Sequence, residues 1–229
     1  MQLIFIGSSM TKRNKSCESE VMLTMQRKEL LKKSAIRHAE YYGMVEVQDA
    51  LYADSANKKI FTDLISIIGS DANIKMAYRN LKSNKGSNTP GVDGKTFKDL
   101  AEMSEEALVR CVRDKILNYQ PKAVRRVYIP KPNGKMRPLG IPTVIDRIVQ
   151  QSVLQVMEPI CEAKFYRHSY GFRPNRSTKN AVAVCYKLAQ VDGFHYVVDV
   201  DIKGFFDNVD HGKLLKQIWT LGIRDKRLI

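Results

Sequence analysis

The run Tyr196-Val197-Val198-Asp199-Val200-Asp201-Ile202 sets the first constraint on the fold. It is rich in β-branched side chains, which favour a buried strand over a helix. Side chains alternate along a strand, so Asp199 and Asp201 fall on one face. A carboxylate at the tip of a buried strand is costly without a partner, and such groups usually meet a cation or carry an acid–base task. Asp201 reads either that way or as a cap on the next turn. Lys203-Gly204 breaks the run, Phe205-Phe206 follows, and Asp207 to Asp210 suits the start of a new helix. Asp207 serves equally as a helix N-cap or as a functional group.

With 229 residues, the chain allows one large domain or two small ones. Hydrophobic content of 44% supports a core. The net charge of +14 has its simplest partner in a polyphosphate backbone, with an anionic membrane surface as the competing reading. No stretch reaches the roughly 18–20 apolar residues of a membrane span. Met1 to Gly7 is apolar but lacks the basic flank and cleavage site of a signal peptide. Cys17, Cys111, Cys161 and Cys185 have neither metal-ligand nor redox spacing and read as reduced thiols of a cytoplasmic protein.

Lys12, Arg13 and Lys15 make a basic lead-in. Glu18 to Tyr42 reads as a helix stopped by Gly43; its basic face (Arg27, Lys28, Lys32, Lys33, Arg37) suits RNA or a solvated surface. Tyr52 to Ser55 reads as a loop and Lys59 to Ile68 as a helix. Ser70 or Asp71 caps a helix running to about Ser83, and Gly86, Pro90, Gly91 and Gly94 make Lys85 to Lys95 a loop. Thr96 to Asn118 is helical, with an internal start at Ser104.

Val124 to Ile129 reads as a strand, Pro132-Asn133-Gly134 as a turn, and Lys135 to Leu139 as the partner strand. Between Lys122 and Arg137 lie six basic residues (Lys122, Arg125, Arg126, Lys131, Lys135, Arg137) and no acid. Such a hairpin suits a polyanion, a triphosphate or an RNA backbone; its charges also serve plain solubility. Thr143 caps a long helix to about Lys164, with an apolar stripe (Ile145, Ile148, Val149, Val153, Val156, Met157) and Pro159 ending or kinking it. Asp146-Arg147 offers an ion pair within the helix or between elements. Ser169 to Thr178 is an exposed turn whose arginines and aromatics suit phosphates and stacked bases. A helix capped at Ser177 follows over Asn180 to Gln190, and another from Lys213 to Leu221 with Gly222 as its stop. His211 reads as a cap or a packed side chain.

Asp201-Ile202-Lys203-Gly204-Phe205-Phe206-Asp207-Asn208-Val209-Asp210-His211 resembles the first catalytic block of bacterial reverse transcriptases of the group II intron (maturase) type. The resemblance implies that Asp201 and the Ile202 carbonyl bind magnesium. It implies that Lys203, Gly204, Phe205 and Phe206 line the nucleotide, with Phe206 as the gate beneath the sugar. Asn88 to Gly94 resembles the loop that precedes the fingers in this family. Arg126 to Pro142 resembles its fingers block, which assigns the triphosphate to Arg125, Lys131 and Arg137 and turns Arg126 and Lys135 to template or solvent. Gly171-Phe172-Arg173-Pro174 resembles the template-contacting turn, giving Phe172, Arg173, Pro174 and Asn175 that role. Tyr52-Ala53-Asp54-Ser55 resembles the family's second catalytic signature, but it lacks the final Asp and lies upstream, so it is a chance match.

The expected fold is α+β: right-hand polymerase-like fingers and a partial palm, helix-rich, with a basic β-hairpin and a catalytic palm strand. The expected divisions are a basic helical extension (1–58), a pre-fingers region (59–120), fingers (121–192) and the start of a palm (193–229). The implied reaction is RNA-templated addition of deoxynucleoside triphosphates to a DNA primer with two Mg2+ ions, alongside intron-RNA binding; no membrane is involved and a homodimer is open. The family's second carboxylate pair is absent, so the chain is expected to be an incomplete fragment, inactive alone. The alternatives are an RNA-binding splicing factor without polymerisation, or a reverse transcriptase of a retron or diversity-generating element.

Overall fold

The computed structural model describes residues 37–132 and 134–229. Most of the basic face expected between Glu18 and Tyr42 lies outside them. Residues 37–41 are helical, and Gly43 stops that helix with φ +65°, a conformation open to glycine at no steric cost.

The spine is a 19-residue helix, Val144–Glu162, called α6 here. Thr143 starts it as expected, its Oγ1 accepting the Asp146 N–H at 3.2 Å. Val144, Ile148, Val149, Ser152, Val156 and Ile160 are buried along one stripe. Against that stripe pack α1 (Val45–Ala56), α2 (Ile65–Ile68), α3 (Asp71–Lys82) and α5 (Glu105–Leu117), while α4 (Phe97–Leu100) adds Phe97 and Leu100 to the same core. Burying each such isoleucine or leucine contributes about 1.5–3 kcal/mol. α3 and α5 begin at serines, as the sequence indicates: Ser70 accepts from Asn73 N and Ser104 from Ala107 N.

Pro159 lies inside α6 and has no N–H for the Gln155 carbonyl one turn earlier. That carbonyl is instead met by Gln48 Nε2 at 3.1 Å. Seven residues on, Ser55 Oγ donates to Ile160 O at 2.8 Å. Both side chains project from one face of α1, with Leu51 buried between them. Tyr52 to Ser55 therefore stands in a helix, not in the expected loop; the segment holds no Gly or Pro to break it.

The expected helix from Lys59 to Ile68 shrinks to α2, because Phe61 is drawn into a parallel bridge with Ile223. Phe61 N donates to Gly222 O and Arg224 N to Phe61 O, each at 2.8 Å. Asp225, 1% exposed, accepts the first N–H of α2, from Ile65, at 2.9 Å.

The sheet among the described residues is a single antiparallel hairpin, β1 (Arg125–Pro130) with β2 (Met136–Ile141). It stands out from the helices with most of its residues exposed. After it come α6, α7 (Thr178–Gln190), a 3-10 turn at Phe205–Asn208 and α8 (His211–Thr220), which Asp210 caps through Lys213 N.

The expected buried strand from Tyr196 to Ile202 is not formed. Residues 194–202 carry no regular structure, and Tyr196, Val197, Val198, Val200 and Ile202 are exposed. A strand needs a neighbour to hydrogen-bond, and no described strand lies beside this run. No helix among the described residues is long and apolar enough to cross a membrane.

Candidate nucleotide and nucleic-acid interface

The hairpin register follows from Arg125↔Ile141, Val127↔Leu139 and Ile129↔Arg137. Period-two alternation puts Arg125 and Arg137 on one face and Arg126 on the other. Lys131 opens the turn; its N–H donates to Lys135 O at 2.8 Å, and Gly134 takes φ +76°. Lys131 and Arg137 are exposed, whereas Arg125 is half-buried at the base, where its Nε donates to Pro90 O at 3.0 Å.

That base is a convergence of three segments. Arg147, on the first turn of α6, donates to Pro142 O (3.1 Å), Gly86 O (2.9 Å) and Thr89 O (2.5 Å). Two arginines thus hold the loop around Gly86–Pro90 through its backbone carbonyls. Gly91 is buried against the Pro142–Thr143 backbone, in a space that admits no Cβ. Asp146 does not pair with Arg147. Its Oδ2 accepts from Thr143 Oγ1 at 2.7 Å and its Oδ1 lies 4.0 Å from Lys115 Nζ, so the ion pair runs between α6 and α5. Lys115 also donates to Gln120 O, which ties down the segment leading into the hairpin.

The opposite end of α6, about 28 Å away, carries the turn Ser169–Thr178. Arg173 is 8% exposed and faces inward, while Phe172 is fully exposed at φ +55° and Asn175 lies at φ +56°. Pro174 and Asn175 are exposed as well. Asp201 and the segment Ile202–Phe206 are exposed, with Gly204 at φ +62° opening the 3-10 turn. Among the described residues no three His, Cys, Asp or Glu side chains stand close enough to hold a metal ion.

Arg147 and Gly91 carry the hairpin root, through carbonyl bonds and close backbone packing that the sequence did not indicate for either. The Gly86–Gly94 loop and the Asp146-Arg147 pair were the signals available.

Burial, and then the Glu162 carboxylate one turn on, push the Glu158 carboxyl above its ordinary range. The folded state therefore binds the Glu158 proton more tightly than the unfolded state, and stability falls as pH rises from about 4.3 through the folded pKa. Glu158→Gln is expected to raise Tm at pH 7, with the gain vanishing below about pH 4.3. Melting curves across pH check this, and a gain that persists at low pH contradicts it.

A family model described as Reverse transcriptase (RNA-dependent DNA polymerase) matches residues 129–229. Protein YkfC of Escherichia coli strain K12 is 45% identical over 148 residues, 62% of this chain and 38% of that protein. Group II intron-encoded protein LtrA of Lactococcus lactis subsp. cremoris is 40% identical over 154 residues, 67% of this chain and 25% of that protein. Nuclear intron maturase 2, mitochondrial, of Arabidopsis thaliana is 31% identical over 84 residues, 37% of this chain and 11% of that protein. The chain is thus similar to reverse transcriptases over residues 129–229 and to group II intron-encoded and intron maturase proteins, and it spans less than two fifths of the length of these relatives.

Proposed function

We propose that the chain is the template- and nucleotide-facing part of an RNA-directed DNA polymerase of the group II intron type, and that by itself it binds RNA without extending a primer. One observation carries this reading: a hairpin region with six cations and no acid stands exposed from a helical core and is braced at its root by arginines on backbone carbonyls. A braced, exposed cationic hairpin presents charge to a phosphate chain without having to be ordered first.

Within this reading, Lys131 and Arg137 meet the triphosphate of a deoxynucleotide. Arg125 takes part from the hairpin root. Lys203 to Phe206 line the nucleotide, with Phe206 beneath the sugar, and Phe172, Pro174 and Asn175 face the template. Residues 121–192 act as fingers, 193–229 as the start of a palm, and 1–120 as the extension and pre-fingers region. Intron RNA and a DNA primer are the partners of the longer protein, and the cytoplasm is its compartment. The resemblance to reverse transcriptases implies a second carboxylate signature that these 229 residues do not contain, so RNA binding is the activity assigned to this chain alone.

Single-stranded RNA should bind with a slope of log Kobs against log[salt] of about −3.5 if some five hairpin cations neutralise phosphates. Affinity then drops about a hundredfold between 50 and 200 mM salt. Lys131→Ala with Arg137→Ala should flatten the slope by about 1.4, while Asp201→Ala leaves affinity unchanged. Fluorescence anisotropy at several salt concentrations measures all three. Salt-insensitive binding, or primer extension by the purified chain, would remove the reading.

A further inference from the structure

The turn after α6 holds two residues in a backbone conformation that ordinary side chains avoid. Phe172 is the more telling: a bulky aromatic at φ +55° is a genuine outlier, and it persists only where its surroundings over-determine it. Its ring gains nothing from burial, being fully exposed. The surroundings that enforce this arrangement centre on the next residue. Arg173 Nε donates to Glu162 Oε2 at 2.9 Å and Oε1 at 3.1 Å, and Nη2 reaches Oε1 at 2.5 Å. Nη1 donates to Tyr166 O at 2.7 Å and Ser169 O at 2.9 Å. The guanidinium also lies 5.3 Å from the centre of the Phe165 ring. Each of its three nitrogens is committed within the protein, and the side chain is buried.

A template contact by this arginine would require breaking a fork-shaped ion pair and two carbonyl bonds. Arg173 is anchored inward while Phe172, its neighbour, stands outward. Glu162 is the last residue of α6, so the anchor is rooted in the core spine.

We propose that Glu162 and Arg173 form a positioning pair that holds Phe172 out as a stacking platform for an unpaired base, and that Arg173 does not itself touch the nucleic acid. Phe172 has this part only if the chain binds RNA, as proposed above. The pair explains why a strained, water-exposed phenylalanine is stable, and it assigns to Glu162 a task in a surface where an acid would otherwise only repel phosphate.

The two possibilities for Arg173 differ in sign at Glu162. If Arg173 contacted a phosphate, removing the neighbouring carboxylate would free the arginine and strengthen RNA binding. If the pair positions Phe172, the same change weakens it. The measurement is anisotropy of a fluorescein-labelled, unstructured single-stranded RNA on the 229-residue chain at several salt concentrations. Phe172→Ala, Glu162→Gln and Arg173→Gln should each weaken binding about tenfold, the loss of one stacked base. Adding Glu162→Gln to Phe172→Ala should cost nothing further. The salt slope should match wild type in all of them, because no phosphate contact is lost.

Tighter or unchanged binding by Glu162→Gln overturns the proposal, as does a slope reduced by about 0.7 in Arg173→Gln. Should Arg173→Gln fail to fold, as far-UV circular dichroism would reveal, Glu162→Gln decides alone. Wild-type chain that shows no salt-dependent RNA binding removes the functional reading itself, an outcome distinct from normal wild-type binding with an unaffected Glu162 variant.

Discussion

Gly91→Ala should destabilise the fold by about 3 kcal/mol, at the upper end of the cost of overpacking a tight site. A Cβ there would stand 2.6 Å from Thr143 Cα, 2.9 Å from Pro142 O and 3.0 Å from Thr143 N. All three are backbone atoms, so no rotamer change relieves the clash. Thr143 cannot retreat without giving up its cap on α6, where Asp146 N donates to Thr143 Oγ1. The loop must lift instead, and that strains the bonds from Arg147 to Gly86 O and Thr89 O and from Arg125 to Pro90 O. For a chain of this size the loss lowers Tm by about 6–12 °C. Gly86→Ala is the control, since a Cβ at Gly86 meets nothing within 4 Å; it should shift stability by no more than about 0.5 kcal/mol. Equal melting temperatures for the two variants would show that the loop does not rest on the α6 N-terminus. Because this loop braces the hairpin root, Gly91→Ala should also weaken RNA binding, and Gly86→Ala should not.

The parts of the fold that sequence made legible are those set by local chemistry. Ser70, Ser104, Thr143, Ser177 and Asp210 each cap a helix, and each is a short polar side chain ahead of an apolar periodic run. The hairpin was legible because Pro132-Asn133-Gly134 separates two short β-type segments, and because alternation then fixes which arginines share a face. What local pattern could not supply was partnership. The Tyr196–Ile202 run has strand composition, but strand formation depends on a neighbouring strand, and none of the described strands lies beside it. Phe61 looked helical until Gly222 and Arg224, far along the chain, took up its backbone groups. Arg173 carried the same ambiguity: a cation in a turn suits a phosphate equally with a buried carboxylate, and only the position of Glu162 distinguishes the two. Glu162 lies eleven residues away, beyond the reach of any turn motif. Long-range pairs of this kind leave no periodic trace in the sequence.

Asn73→Ala should cost about 3 kcal/mol, through buried polar groups left without partners rather than through lost apolar contact. Asn73 is 0% exposed in α3. Its Nδ2 donates to Ile68 O at 2.9 Å and to Ser152 O at 3.0 Å, and its Oδ1 accepts from Gln155 Nε2 at 2.8 Å. Gln155 Oε1 in turn accepts from Asn80 Nδ2 at 3.0 Å, and Asn80 Oδ1 lies 2.7 Å from His38 Nδ1. The network thus crosses from α2 and α3 through α6 to the helical residues before α1. Removing the Asn73 side chain strips Ile68 O, at the end of α2, and Ser152 O of a buried donor, and it leaves Gln155 Nε2 only the backbone carbonyl of residue 73, at 3.1 Å, as acceptor. Alanine also opens a gap beside Ser152, whose Oγ already has no hydrogen-bond partner. In a double-mutant cycle, Asn73→Ala and Gln155→Ala should be non-additive by about 1 kcal/mol or more, because the two side chains share a buried bond. His38→Ala, at the solvent end, should cost about 1 kcal/mol or less. Urea denaturation of the four proteins reads out the cycle. Additive losses would mean that α6 is held by its apolar stripe alone. A coupled loss would mean that one polar network fixes the helix that carries the hairpin at one end and the Glu162–Arg173 pair at the other, so that Asn73→Ala should loosen both surfaces together.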